Sequence, residues 1–287
     1  MTAPEPLVAV PVRHWGRWVS GALVLAALVA LVNAFAHAEV RWSTTKHFLT
    51  VDTIVSGAGR TLLISVLAQA LGIVIGVVVA VMRQSGNPVT GAVAWLYVWF
   101  FRGTPVLLQL LIWYNLALVF PTILGHSTND LMTPFLAALL GLGINEGAYM
   151  AEIVRAGLAA VDEGQTEAAQ SLGMTRGLVL RRVVLPQAMR VIIPPTGNEF
   201  INMLKTSSLA FTIQYAELLR AATSIYTSNL QVVELLFTVA VWYLLLTSIF
   251  SVFQYYLERR FSRGASRELP PTPLQRLRAN LTTAPRL

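Results

Sequence analysis

The chain has 287 residues, 55% of them hydrophobic and only 12% charged, with a mean hydropathy of +0.61. A soluble domain carries about twice that charge fraction, so the composition excludes a soluble globular protein and indicates a polytopic membrane protein. The net charge of +7 does not signal a nucleic-acid partner, because nearly all the cations are Arg gathered in loops between apolar runs, which is a pattern of membrane topology.

Arg13, His14 and Arg17 precede an apolar run over residues 19–38. A signal-peptide core is about 7 to 15 residues long, whereas this run is long enough for a bilayer. It predicts a retained first helix after a cytoplasmic N-terminus, residues 1–18; the Ala-x-Ala pattern from Ala34 to Ala38 leaves cleavage as the alternative. A polar external segment, 39–60, leads to a second span over 61–82, which stops at Arg83 and a Ser85-Gly86-Asn87-Pro88 turn. Gly72 and Gly76 in that span have the spacing of close helix packing. A third apolar stretch, 92–120, is too long for one plain span. Arg102-Gly103-Thr104-Pro105 interrupts it, and Pro105, which has no N–H, predicts a bend there with Arg102 orienting the bent helix near the interface.

Residues 121–130 lack Lys and Arg, as an outer loop should, and a fourth span follows over 131–153. The next stretch, 163–186, is polar, Ala-rich and Arg-rich. Glu163 and Glu167 begin it, Ala168, Ala169 and Leu172 suit a compact helix, and Gly173 can close that helix in the left-handed conformation. Thr175 is the expected N-cap of a second short helix through Arg182, with Pro186 near the first turn of the following span. Arg176, Arg181 and Arg182 put this two-helix knob in the cytoplasm. A fifth span, 186–204, must break or kink at Pro194-Pro195. Residues 205–234 are half polar and are expected outside as a re-entrant or interfacial helix. A sixth span, 235–257, ends in a basic cytoplasmic tail, 259–287. The reading is an all-α polytopic membrane protein of about six transmembrane helices with both termini cytoplasmic.

Ionisable groups at membrane depth cost about 2.5 to 3.5 kcal/mol each, so they need a reason. Glu146 and Tyr149 share a face of the fourth span at i, i+3, beside Asn145. In the fifth span Asn198, Asn202 and Lys205 recur at i, i+4, i+7, flanked by Glu199 and Thr206. These stripes either line a translocation path, meeting the ammonium and carboxylate of an amino acid, or bond between helices or across a dimer. Glu152 and Arg155 read as a local ion pair. The chain has no cysteine, and its four His show no ligand spacing, so no metal is expected. Neither Lys46 nor Lys205 belongs to a phosphate-binding G-x-x-x-x-G-K-[ST] loop, so any ATPase must be a separate chain.

The order Glu167-Ala168-Ala169, Gly173, Val183-x-Leu185-Pro186 resembles the EAA loop of the membrane subunits of bacterial ABC importers, with Val183 where the family usually has Ile. Phe100 to Gln109, Ala148 to Arg155 and Asn198 to Lys205 are similar to runs in the polar amino acid branch, which handles His, Glu, Gln, Arg or opines. The resemblance covers about residues 57 to 258, with the helix at 19–38 as an addition, since branch members often have five spans. It implies the ABC type I importer permease fold in the bacterial cytoplasmic membrane, with a permease domain over 61–258. It implies a second permease chain (the same or a sister), ABC ATPase subunits holding ATP and Mg inside, and an extracytoplasmic substrate-binding protein outside. Glu167, Ala168, Ala169, Gly173 and Pro186 would couple to the ATPase, while Glu146, Tyr149, Asn198, Glu199 and Asn202 would meet a polar amino acid. No cofactor and no catalytic residue is expected on this chain. The alternatives are a proton-coupled secondary amino acid transporter, which would need no such loop, and a membrane enzyme, for which no polar cluster at a membrane face is found.

Overall fold

The computed structural model describes residues 15–261, so the expected cytoplasmic ends 1–18 and 259–287 lie outside the described residues apart from 15–18 and 259–261. The chain divides into two compact units, residues 1–44 and 45–287. The first holds α1 (Trp15–Ala36), a helix long and apolar enough to cross a membrane. A short helix, α2 (Trp42–Phe48), follows.

In the second unit α3 (Asp52–Gln84) is 33 residues long and starts well before the expected span at 61. Arg60, which marked the boundary in the sequence, is accommodated on this helix by directing its guanidinium at the Ala216 carbonyl, 3.5 Å away. The turn at 85–88 forms as expected: Asn87 caps α4 (Pro88–Gly103) by accepting from the Val89 N–H at 2.9 Å, with Pro88 in the first turn. The third apolar stretch is two helices, α4 and α5 (Val106–Tyr114), at 101° to one another. A two-residue hairpin, β1 (Thr122–Ile123) with β2 (His126–Ser127), and the turn α6 (Thr128–Leu131) lead into α7 (Pro134–Ala159).

The polar stretch forms α8 (Glu163–Ser171) and α9 (Arg176–Val179). The second short helix does not stop at Arg182. It passes through one π-helical turn, Leu180–Val184, into α10 (Leu185–Thr206), with Pro186 in the first turn of α10. Helical structure continues through Pro194 and Pro195, so of the expected break or kink the break does not occur. Pro194 and Pro195 lack the N–H groups that would pair with residues 190 and 191. Gln254 of α12 (Val232–Phe261) fits over the bare backbone of Gly197 and donates to the Pro194 carbonyl at 2.7 Å. Between α10 and α12 the chain forms a 3-10 segment, Ser207–Ile213, and α11 (Leu218–Asn229).

Besides α1, helices α3 and α12 are long and apolar enough to span, and the bent pair α4–α5 makes a further span if counted as one. Helices α7 and α10 have the length, about 39 and 33 Å at 1.5 Å per residue. They are less apolar because they carry Asn145, Glu146, Glu199 and Asn202 into the bundle.

The most extensive packing is between α3 and α7, and it is built from missing side chains. A Cβ on Gly72 would sit 2.5 Å from Glu146 Cγ, and one on Gly76 would sit 2.8 Å from the Ala151 nitrogen. From the other side, Gly143 faces Leu71, and Gly147 faces Ile75 and the Tyr97 hydroxyl. That hydroxyl donates to the Ile144 carbonyl at 2.5 Å, which fastens α4 to the same pair.

A second cross-link escaped the sequence reading. Glu217 is fully buried, caps α11 by accepting from the Leu219 and Arg220 N–H groups at 2.8 and 2.7 Å, and also accepts from the Tyr243 hydroxyl of α12 at 2.9 Å. Thr61 of α3 accepts from the Leu218 N–H at 3.1 Å. The Thr61 hydroxyl also donates to Glu217 Oε2 at 3.4 Å, so one carboxylate ties three helices.

Gly76→Val should lower the melting temperature of the purified protein in detergent, because forcing extra methyl groups into a packed contact costs about 1–3 kcal/mol. Gly59→Ala on the same helix, where a Cβ meets open space, should be neutral or slightly stabilising. Equal melting of the two variants would contradict the packing role of Gly76.

Candidate functional site

The site begins with a helix break. Proline disfavours the helical conformation in the residue before it, and Thr104 is extended, with φ −115 and ψ 144. Pro105 also removes the N–H that would have met the Phe101 carbonyl four residues back. Two buried or half-buried amides replace it. Gln109 Nε2 lies 3.1 Å from that carbonyl and 2.8 Å from Thr104 Oγ1. Asn145 Nδ2 of α7 donates to the same carbonyl at 2.8 Å and to Gln109 Oε1 at 3.2 Å. The break is therefore a hydrogen-bonded corner, and it turns residues 102–106 toward α7 and α10.

Between that corner, α7 and α10 lies a cavity of about 750 Å³. Its wall contains Glu146, Tyr149, Glu199 and Asn202, four of the five residues expected on the substrate path. Asn198 is not among them and is exposed. The α10 wall is Glu199, Asn202, Met203 and Thr206, an i, i+3, i+4, i+7 stripe, with Lys205 at its edge. Of the polar residues expected on this helix, Glu199, Asn202, Lys205 and Thr206 line the cavity and Asn198 does not, since periodicity alone could not separate 198 from 199 at the edge of the polar face.

Glu146 is buried and accepts from Gln69 Nε2 of α3 at 3.2 Å, over the space left by Gly72. Tyr149 carries the Arg102 guanidinium over its ring, 5.2 Å from the centroid. Arg102, expected beside the bend, lies next to the extended Thr104 corner and also in the cavity wall. Among the described residues neither Arg102 nor Lys205 has a carboxylate within ion-pair distance. The cavity thus presents two carboxylic groups and two cations that are not paired with one another. Such a wall can receive a ligand bearing both signs of charge.

Glu152 and Arg155 form the expected ion pair, at 2.8 Å, and Glu152 also bonds Arg83 of α3. Gln69 and Gln109 were missed in the sequence. An apolar run containing a single Gln was the available signal, but its meaning depends on the partner helix.

The residues expected to couple to an ATPase do not line the cavity. Asp162 caps α8 by accepting from the Gly164 N–H at 2.9 Å. The helix closes on Gly173 at φ +80, with the Gly173 N–H to the Gln170 carbonyl at 2.9 Å and the Met174 N–H to the Ala169 carbonyl at 3.2 Å. Those two bonds are the Schellman pattern, which needs a residue free to adopt positive φ. Glu167 and Ala168 are exposed, while Ala169 is buried and holds the knob together. Leu172 is 84% exposed at the tip, an apolar group of the kind that a partner protein covers.

The arginine transport system permease protein of Corynebacterium glutamicum is 47% identical over 281 residues, covering 96% of this chain and 89% of that one. The glutamine transport system permease protein of Escherichia coli K12 is 38% identical, over 73% of this chain and 93% of that one. Among solved structures, an amino acid ABC transporter crystallised with histidines matches with a TM-score of 0.66 and 39% identity, over 72% of this chain and 94% of that one. An inward-facing methionine ABC transporter shares the fold, with a TM-score of 0.60 at 19% identity. The fold is that of ABC type I importer permeases, which depend on separate ATPase subunits and a binding protein. Residues 72–263 match the family of binding-protein-dependent transport system inner membrane components, and the chain is a multi-pass member of that family.

Proposed function

We propose that this chain is the permease subunit of an ATP-driven importer of a polar amino acid, and that the amino acid is a basic one. The observation that carries the reading is the cavity in which Glu146, Glu199, Arg102 and Lys205 converge without pairing. Two carboxylic groups match the two cationic ends of a basic amino acid, and the cations match its carboxylate. The likeness to an arginine permease over nearly the whole chain supports the same substrate class.

The knob formed by α8 and α9 is the point of energy input. It docks into ATPase subunits that hold ATP and Mg, and their closure moves α10 through the π turn, so that the cavity wall alternates between the two faces of the membrane. The basic residues Arg176, Arg181 and Arg182 support a cytoplasmic position for the knob, and the proposed topology has both chain termini on that side. A second copy or a sister permease completes the membrane pore, and an extracytoplasmic binding protein delivers substrate from outside. The permeases reported above lend the proton-coupled alternative no support.

Two experiments test this reading. In pull-downs with the cognate ATPase, Glu167→Arg combined with Gly173→Pro should reduce recovery by more than about tenfold, since proline is fixed near φ −65 and cannot take the conformation of Gly173. Equal recovery would end the coupling role of the knob. In proteoliposomes holding the whole importer, Glu199→Gln should raise the KM for L-arginine by about 10- to 100-fold while ATPase recovery stays intact, as loss of a charge-assisted contact predicts. An unchanged KM would remove Glu199 from the path.

A further inference from the structure

We infer that Arg102 is the specificity residue of the cavity and reads the α-carboxylate of the transported amino acid. The inference rests on the basic amino acid reading above and adds to it the group that distinguishes an amino acid from a simple amine.

A guanidinium cannot discharge by losing its proton, so at membrane depth it needs a partner, a path to water, or a function. Arg102 has no acidic partner among the described residues, and its contact is the face of Tyr149, 5.2 Å from the ring centroid. The ring holds the guanidinium at the cavity wall without occupying its N–H donors, and a guanidinium with its donors available binds a carboxylate with two parallel bonds. The corner that positions it is itself built for accuracy: Gln109 and Asn145 both bond the Phe101 carbonyl, one residue before Arg102. Across the same cavity stand Glu146 and Glu199, which leaves the cationic ends of a ligand to the carboxylic wall and its carboxylate to Arg102.

Position adds a second argument. Arg102 and Gly103 also line a neighbouring cavity of about 380 Å³ that reaches Arg83 and Glu152. Arg102 therefore stands where the substrate cavity meets the space toward the ion-paired end of α7, the end from which the chain runs on into the knob. A ligand held there by its carboxylate is held at the boundary between the two.

The test uses the permease–ATPase complex in nanodiscs, without the binding protein, so that the cavity alone selects. Equilibrium binding of labelled L-arginine and competition by agmatine, which is arginine without its carboxylate, are measured on native protein, Arg102→Gln and Arg102→Lys. The native complex should prefer L-arginine to agmatine by about 10- to 100-fold, the range of a lost charge-assisted contact. Arg102→Gln should weaken L-arginine by that factor and leave agmatine unchanged, so that the two ligands converge; Arg102→Lys should restore part of the difference. If Arg102→Gln weakens both ligands equally, Arg102 serves only to shape the corner and the inference falls. If native preference persists in Arg102→Gln, or if the native complex binds both ligands alike, it also falls. A native complex that binds neither ligand would overturn the basic amino acid reading of the cavity, and this inference with it, which separates that failure from the others.

Discussion

Everything about the site depends on how closely α3 approaches α7. Within a bilayer, lipid tails are as apolar as leucine, so exclusion from water does not press helices together; van der Waals contact and hydrogen bonds must do it. Both terms fall off steeply with distance, and here the distance is set by Gly72 and Gly76 on one helix and Gly143 and Gly147 on the other. With the backbones this near, the buried Gln69 can reach Glu146, and Arg83 can reach Glu152. Two bonds between polar side chains thus become possible at two heights along one apolar seam, and they fix its register. A methyl group at Gly72 would occupy the place of the Glu146 side chain itself.

The same seam explains why an acidic residue survives in the bundle. A carboxylic group facing lipid would be costly, whereas Glu146 is covered by α3 on one side and opens on a polar cavity on the other. The helix corner at Thr104-Pro105 solves a related problem. Non-helical backbone at membrane depth is tolerated only where its carbonyls find donors or line a cavity. At this corner both conditions hold: Gln109 and Asn145 supply donors, and residues 102–106 form the cavity wall. The interruption that might have weakened the helix is thereby used to carry a cation into the site. Glu217 performs the equivalent service where α11 begins, replacing the missing helical acceptors for two N–H groups while receiving the Tyr243 hydroxyl.

How much of this the sequence displayed depended on whether a feature was local. Gly173 was legible because a Schellman closure needs only its own few residues, and Asn87 and Pro88 were legible for the same reason. The pairing of Glu146 with Tyr149 was readable from helical spacing, since both lie on one turn. The stripe on α10 was half readable: periodicity identifies a polar face, but with polar residues at 198, 199, 202, 205 and 206, only the neighbouring helices decide which edge faces inward. Gln69 and Glu217 were not legible, because each meets a group brought near by the fold, 77 residues away for Gln69 and 156 for Glu217 with Thr61, and Gln109 gains its role only at the corner it shares with Asn145. The π turn was hidden for a different reason. Leu180–Val184 has ordinary helical composition, and what distinguishes it is a shift in hydrogen-bond spacing that no residue type announces.

That turn bears on how force would travel in the proposed cycle. Helix α10 begins at the π turn and ends among the cavity residues Glu199, Asn202 and Thr206, so about 33 Å of helix joins the coupling knob to the substrate wall. A rod transmits displacement only if its weak points are braced. Pro194 and Pro195 are such a weak point, and Gln254 braces it from α12, bonding the Pro194 carbonyl over Gly197. The π turn is the other weak point, and its side chains are exposed or half-buried. A displacement applied at α8 and α9 therefore meets its softest joint at Leu180–Val184, next to the knob, and a stiffer, braced helix beyond it. With the bend concentrated near the input end, a small rotation there is carried by the rod as a larger shift at the far end. On the proposed reading, the far end is where Glu199 and Asn202 would release or present their substrate.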